Sequence, residues 1–158
     1  MPYITICPSP LGQLTLTSDG TSLTGLWMDT QTIPEDEYVC QDELPVFLQT
    51  KAWLEDYFLG NKLDVHDLPL WPAGTAFQQK VWAILLTIPY GETITYGHIA
   101  KMLSPTMSSQ AVGGAVGHNP ISIIIPCHRV LGANGQLTGY AGGIHNKAWL
   151  LRHEEETK

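Results

Sequence analysis

Two prolines and two small residues crowd the segment Asp67-Leu68-Pro69-Leu70-Trp71-Pro72-Ala73-Gly74, and no regular element is expected to run through it. The charge balance changes sign at the same place. Residues 1–70 carry eleven acidic and two basic side chains, whereas residues 71–158 carry four acidic and six basic. Five of the six histidines also lie in the second part. A 158-residue chain divided there makes two small domains, 1–70 and 71–158. The net charge of −7 is thus unevenly spread. Either the second half faces a polyanion while the first faces away, or acidic loops simply keep the protein in solution, and charge alone weighs the two equally.

Several classes drop out. No apolar run approaches the roughly 20 residues needed to cross a bilayer. The start, MPYITICPSPLG, lacks a basic segment followed by an apolar run, so no signal peptide is expected. Three widely spaced cysteines, Cys7, Cys40 and Cys127, argue against a disulfide scaffold and for a reducing, cytoplasmic setting. There is no Cys-x-x-Cys pair and no histidine spacing typical of zinc, so neither a metal nor a cofactor is expected.

The first half reads as a small sheet and a helix. Tyr3–Ile6, Gln13–Thr17 and Ser22–Met28 are strand candidates separated by turns at Pro8-Ser9-Pro10 and Ser18-Asp19-Gly20. Residues 29–43 are acidic and interrupted by Pro34, and are expected to form a surface loop. Phe47, Leu54, Tyr57 and Phe58 recur at helical spacing over 46–59, and Gly60 sits where a helix would end. Leu63 and Val65 alternate as a last short strand would. Cys7 and Cys40 are expected to be packing or surface residues, and Trp27 and Trp53 core anchors.

In the second half, Thr75 and Gln78 fit a capping box ahead of an apolar stripe of Phe77, Val81, Ile84, Leu85 and Ile88, ended by Pro89-Tyr90-Gly91. A helix-turn-helix candidate follows: Thr95–Leu103, a break at Ser104-Pro105-Thr106, then Ser109–Val116 capped by Ser108. Adjacent glycines inside that second helix each cost about 1 kcal/mol relative to alanine. They imply the close approach of another backbone, either a neighbouring helix or a sugar–phosphate chain.

Ile123-Ile124-Ile125-Pro126-Cys127-His128-Arg129-Val130 follows, read as a buried strand ended by proline, with a cysteine beside two groups able to carry positive charge. Such neighbours favour the thiolate, the nucleophilic form. Taken alone, such a pair more often marks a buried, inert cysteine with an incidental histidine than a nucleophile.

IPCHRV, GYAGG and KAWLLRHE, preceded in order by GTAFQQKVW, IPYGETITYGHIA and AVGGAVGHNPISI, resemble the O6-alkylguanine-DNA alkyltransferases, also called methylated-DNA–protein-cysteine methyltransferases. The resemblance is close over 74–154 and looser over the first 70 residues, where PSPLG and the helix position agree. It implies an α/β fold: a small N-terminal sheet-and-helix domain of ribonuclease H-like topology and a C-terminal helical domain of winged-helix type that binds DNA and carries the alkyl transfer.

The resemblance also implies roles. Cys127 accepts the alkyl group, His128 takes its proton through a water, and Glu154 orients and polarises the histidine. Asn119 braces the turn after the recognition helix, and Tyr96 offers its phenol to the guanine. Tyr140, Ala141 and Gly142 line the pocket, and Lys147 helps to position that loop. Gln110, Ala111, Gly113, Gly114, Ala115 and Arg129 contact DNA. The partner is double-stranded DNA containing alkylated bases, entered from the minor groove with the target nucleotide rotated out. The protein is expected to act as a monomer, once per molecule, because a thioether is not hydrolysed and no second group is present to remove the alkyl. O4-alkylthymine is a further possible substrate. Many family members carry arginine where this chain has Gln110, and some carry arginine at Gly117, so base extrusion is expected to be weaker here. Two rival classes stay open: a non-catalytic sensor of alkylated DNA, and a cysteine hydrolase using Cys127 and His128.

Overall fold

The computed structural model describes residues 2–158. Its contacts divide into two compact units, residues 1–73 with 120–122, and residues 74–119 with 123–158.

The first unit is built on a four-stranded sheet of order β3-β2-β1-β4. β1 (Tyr3–Ser9) and β2 (Gly12–Ser18) form an antiparallel hairpin, β3 (Leu23–Trp27) continues it, and β4 (Val39–Cys40) runs parallel to β1. Residues 29–43, expected as loop throughout, therefore contain one short strand. Its main chain bonds to the free edge of β1, with Val39 N donating to Pro2 O. The other sheet edge is covered too. Leu23 N donates to Pro69 O and Trp71 N to Leu23 O, while Leu26 N donates to Pro120 O and Ser122 N to Leu26 O. The outer side of β3 thus has backbone partners, which removes a template for unwanted strand pairing.

Helix α1 (Pro45–Phe58) starts with proline in its first turn, where the missing N–H costs nothing, and buries Val46, Phe47, Leu54 and Tyr57. Gly60, with φ of 92°, lets the chain leave the helix with its N–H on Tyr57 O. The strand expected at Leu63–Val65 does not form. The Asp64 carboxylate accepts the His66 N–H at 2.9 Å and winds the chain into a single 3-10 turn, Val65–Asp67.

The second unit is mostly helical: α2 (Ala76–Leu85), α3 (Tyr96–Leu103), α4 (Ser109–Gly117) and α5 (Ile144–Thr157), with β5 (Ile94–Thr95) paired parallel to β6 (Val130–Leu131). Both halves of the Thr75–Gln78 capping box are made. α2 ends four residues short of Pro89, where the Thr87 hydroxyl takes the Ile84 carbonyl. Thr95 caps α3 and Ser108 caps α4. Trp82 of α2 is buried and donates Nε1–H to Ala115 O of α4 at 2.8 Å, fixing the helix-turn-helix on the rest of the unit.

The isoleucine run is not a strand. Ile123, Ile124 and Ile125 are all about 1% exposed, but they lie in consecutive turns, and Ile123 adopts φ of 72°, unusual for a β-branched residue. Asn119 Nδ2 donates to Ile125 O at 2.9 Å and folds the segment back on itself. An unbroken apolar run reports burial and not conformation, which is why strand and turn looked alike.

Candidate active site

Cys127, His128 and Arg129 form one 3-10 turn, and all three are buried. The turn follows Pro126, with Cys127 N donating to Ile125 O and Arg129 N to Pro126 O. Cys127 therefore does not stand at the end of a strand.

α5 brings Glu154 to this turn. His128 Nε2 lies 2.6 Å from Glu154 Oε2. Arg129 donates Nε–H to Oε1 at 2.8 Å and an Nη2 hydrogen to Oε2 at 3.0 Å, and Gly91 N donates to Oε1 at 3.2 Å. Glu154 is 1% exposed, so burial alone would raise its pKa, yet the His128 and Arg129 bonds outweigh burial and hold it far below the ordinary carboxylate range. It is an anion. An anion cannot donate, so the His128 ring must present Nε2–H to it, which leaves the lone pair on Nδ1. That atom is buried and, among the described residues, has no hydrogen-bond partner. Burial pushes His128 below its ordinary value despite the carboxylate, with Arg129 and Lys147 adding to the effect, so the ring is neutral.

The thiol has its own surroundings. Burial raises Cys127 above the ordinary thiol value, opposed by hydrogen bonds from Asn119 and Tyr140 and by the ammonium of Lys147. Lys147 is fully buried. Its Nζ donates to Val130 O at 2.6 Å and to Thr138 O at 3.5 Å, and lies 5.9 Å from the Tyr96 ring centroid and 6.0 Å from that of Tyr140. One cation thus ties the residues after the thiol to the loop before α5 and to two phenols. Thr138 Oγ1 is 3.5 Å from the Tyr96 hydroxyl. Tyr96, Ser109, Gln110, Gly113, Ala133 and Thr138 line an open cleft of about 440 Å³. Among the described residues no three His, Cys, Asp or Glu side chains converge as metal ligands would.

Most of the residues singled out from sequence are brought together here: Cys127, His128, Glu154, Asn119, Tyr96, Tyr140 and Lys147. Gln110, Ala111 and Gly114 are exposed along α4, and Gly113 is half-buried with its Cα facing the Tyr96 ring. A Cβ at Gly114 or Gly117 would meet nothing within 4 Å, so those glycines do not accommodate a neighbouring helix. In the turn before α5, Ala141 is exposed and Gly142 buried.

Two expected DNA contacts are not on the surface. Ala115 is buried, its carbonyl taken by Trp82. Arg129 is buried as well, with Nη1–H on Ile88 O at 2.7 Å, its other nitrogens on Glu154 and its guanidinium over the Tyr90 ring. The Arg129–Glu154 pair was missed because its partners are 25 residues apart. The only sequence signal was an arginine inside an otherwise apolar run.

A two-domain α/β architecture, with a helix-turn-helix and a buried Cys–His–Glu site in its helical half, defines a class of cysteine-bearing, helix-turn-helix proteins. The comparisons narrow it. Residues 76–156 match the DNA binding domain of 6-O-methylguanine DNA methyltransferase, and residues 2–72 match its ribonuclease-like domain. The chain belongs to that family. It is 47% identical over 154 residues to the methylated-DNA–protein-cysteine methyltransferase of Haemophilus influenzae, covering 97% of this chain and 86% of that protein. Identity to the protein of the same name from Methanosarcina acetivorans is 45%, covering 96% and 97%. The fold is similar to that of Mycobacterium tuberculosis OGT in complex with DNA, at 44% identity and a TM-score of 0.90, covering 98% of this chain and 94% of that one.

Proposed function

We propose that this protein repairs DNA by moving a methyl or other alkyl group from O6 of guanine to the sulfur of its own Cys127. The observation that carries the reading is the buried His128 ring, with Nε2 on an ionised Glu154 and Nδ1 open to accept a proton, on the residue next to a thiol that burial keeps protonated. The 6-O-methylguanine for which the family is named is the alkyl donor.

The thiol proton passes to His128 Nδ1, through a water. The sulfur attacks the alkyl carbon, the S–C bond forms as the C–O6 bond breaks, and the electron pair stays on O6. The Tyr96 phenol donates a hydrogen bond to that oxygen, and the proton held by His128 is returned so that guanine leaves neutral. A thiolate suits this soft carbon, and the thioether that forms is final, so each molecule acts once. Asn119 and Tyr140 stabilise the developing sulfur charge.

The partner is double-stranded DNA. The exposed face of α4, with Gln110, Ala111 and Gly114, enters the minor groove, where residues without bulky side chains let the backbone come close. The target nucleotide is rotated into the cleft beside Tyr96, at a cost of a few kcal/mol. The protein acts as a cytoplasmic monomer.

Intact-mass measurement after incubation with duplex containing O6-methylguanine tests the reading. A gain of one methyl group supports it. Binding with no covalent change makes the protein a sensor of the lesion, and neither result leaves a hydrolase.

A further inference from the structure

We propose that Arg129 is a positioning residue for the transfer: by neutralising Glu154 through a two-pronged ion pair, it keeps His128 a neutral base. The inference rests on the alkyl-transfer reading above.

Arg129 places one hydrogen bond on each oxygen of Glu154, beside those from His128 and from the Gly91 N–H. The fork of a guanidinium matches a carboxylate in this way, whereas an ammonium does not. Arg129 is itself held from the far side by Ile88 O and by the face of Tyr90. The anion's charge is therefore already balanced before His128 is considered. A buried carboxylate without that balance would instead draw a proton onto the imidazole, since an unpaired buried charge is very costly.

Of the charged groups facing His128, Arg129 and Lys147 favour the neutral ring and only the Glu154 carboxylate opposes them. From α5 come Glu154 and Lys147, and from its own turn Cys127 and Arg129. With His128 neutral and Cys127 a thiol, the cluster holds Arg129 and Lys147 as cations and Glu154 as anion. With His128 protonated it would hold three cations against one anion, with scarcely any solvent access. An imidazolium has no lone pair on Nδ1, so it could not receive the thiol proton. Arg129 thus never meets the substrate; it acts through Glu154 and His128.

The test is nitrogen-15 NMR of the His128 ring between pH 5.5 and 8.5, on unalkylated protein, which needs no transfer activity. The wild type should show the neutral Nε2–H form across the range. Arg129→Gln should show imidazolium, with its transition moved up by about one pH unit or more, a tenfold change in the protonation equilibrium. Arg129→Gln with Glu154→Gln should return the neutral ring, because the unbalanced anion is gone. Single-turnover transfer from the free base O6-benzylguanine should fall about tenfold at pH 6.5 in Arg129→Gln and recover toward pH 8.5. Imidazolium in the wild type, a neutral ring in Arg129→Gln, or a rate loss that does not vary with pH would each overturn the proposal. If Arg129→Gln does not fold, the wild-type titration still decides, and Arg129→Lys, which keeps the charge, should keep the neutral ring. A neutral ring in a protein that acquires no alkyl group would sink the alkyl-transfer reading and not this one.

Discussion

His128 Nε2 lies 2.6 Å from Glu154 Oε2 with both side chains almost wholly out of contact with solvent. That contact decides which ring nitrogen carries the hydrogen, and so which can accept one. The two residues are 26 positions apart, and the turn holding one meets the helix holding the other only in the folded protein.

Cys127→Ser should abolish alkyl transfer while leaving the fold and DNA binding intact, because a hydroxyl is far less acidic and less polarisable than a thiol. Intact mass and a DNA-binding titration check this. Methyl groups found on Cys7 or Cys40 of the variant would show the acceptor to be wrong. Burial raises the Cys7 thiol above its ordinary value, and that should keep it unreactive.

Lesion repair should stop near one equivalent per protein with excess substrate. The alkylated form should melt at a lower temperature, since Cys127 is 5% exposed and an added group must displace packed neighbours. Sustained linear turnover, or an equal or higher melting temperature, would contradict the respective halves of this prediction.

Gln110 is exposed at the start of α4 and lines the cleft beside Tyr96. Gln110→Arg should speed repair in duplex DNA by adding charge near phosphates and a planar group able to stack. It should scarcely alter reaction with O6-benzylguanine, which needs no base extrusion. Gln110→Ala should slow the duplex reaction alone. Parallel changes on both substrates in single-turnover assays would place residue 110 in the pocket or the fold instead.

Trp82→Phe leaves the buried Ala115 carbonyl without its indole partner and should destabilise the protein by about 1–3 kcal/mol. Urea denaturation measures it. An unchanged midpoint would mean that α2 and α4 do not depend on this bond.

Stability should fall as pH drops below neutrality. The folded-state pKa of His128 is lowered by burial, so below about pH 6.5 the unfolded chain binds a proton that the folded one refuses. Glu154 works in the same sense, but its contribution is lost progressively only as pH falls below the ordinary glutamate value of about 4.3. Thermal melts from pH 7.5 to 5.5 should show a decline that is smaller in His128→Gln. Equal declines would assign the effect to other groups.

What this sequence determined by itself was local or periodic. The Thr75–Gln78 box closes within four residues, Ser108 caps α4 three residues on, and Gly60 ends α1 next to the side chains it follows, so each is legible from neighbours alone. The Cys127-His128 pair was written in adjacent residues too. The tertiary structure decided the rest. An apolar run at 123–125 states that its residues are buried, but whether they are extended or turned depended on Asn119 reaching Ile125 O, and on the positive φ of Ile123. An arginine in the sequence states that a charge exists, but its sign fits a phosphate and a carboxylate equally. Only the packing of α5 against the Cys127 turn supplied Glu154, and so took Arg129 from the surface into the core. Caps and periodicity are set by a few covalently linked neighbours. Charge pairing in a dry interior is set by whichever groups distant segments bring together.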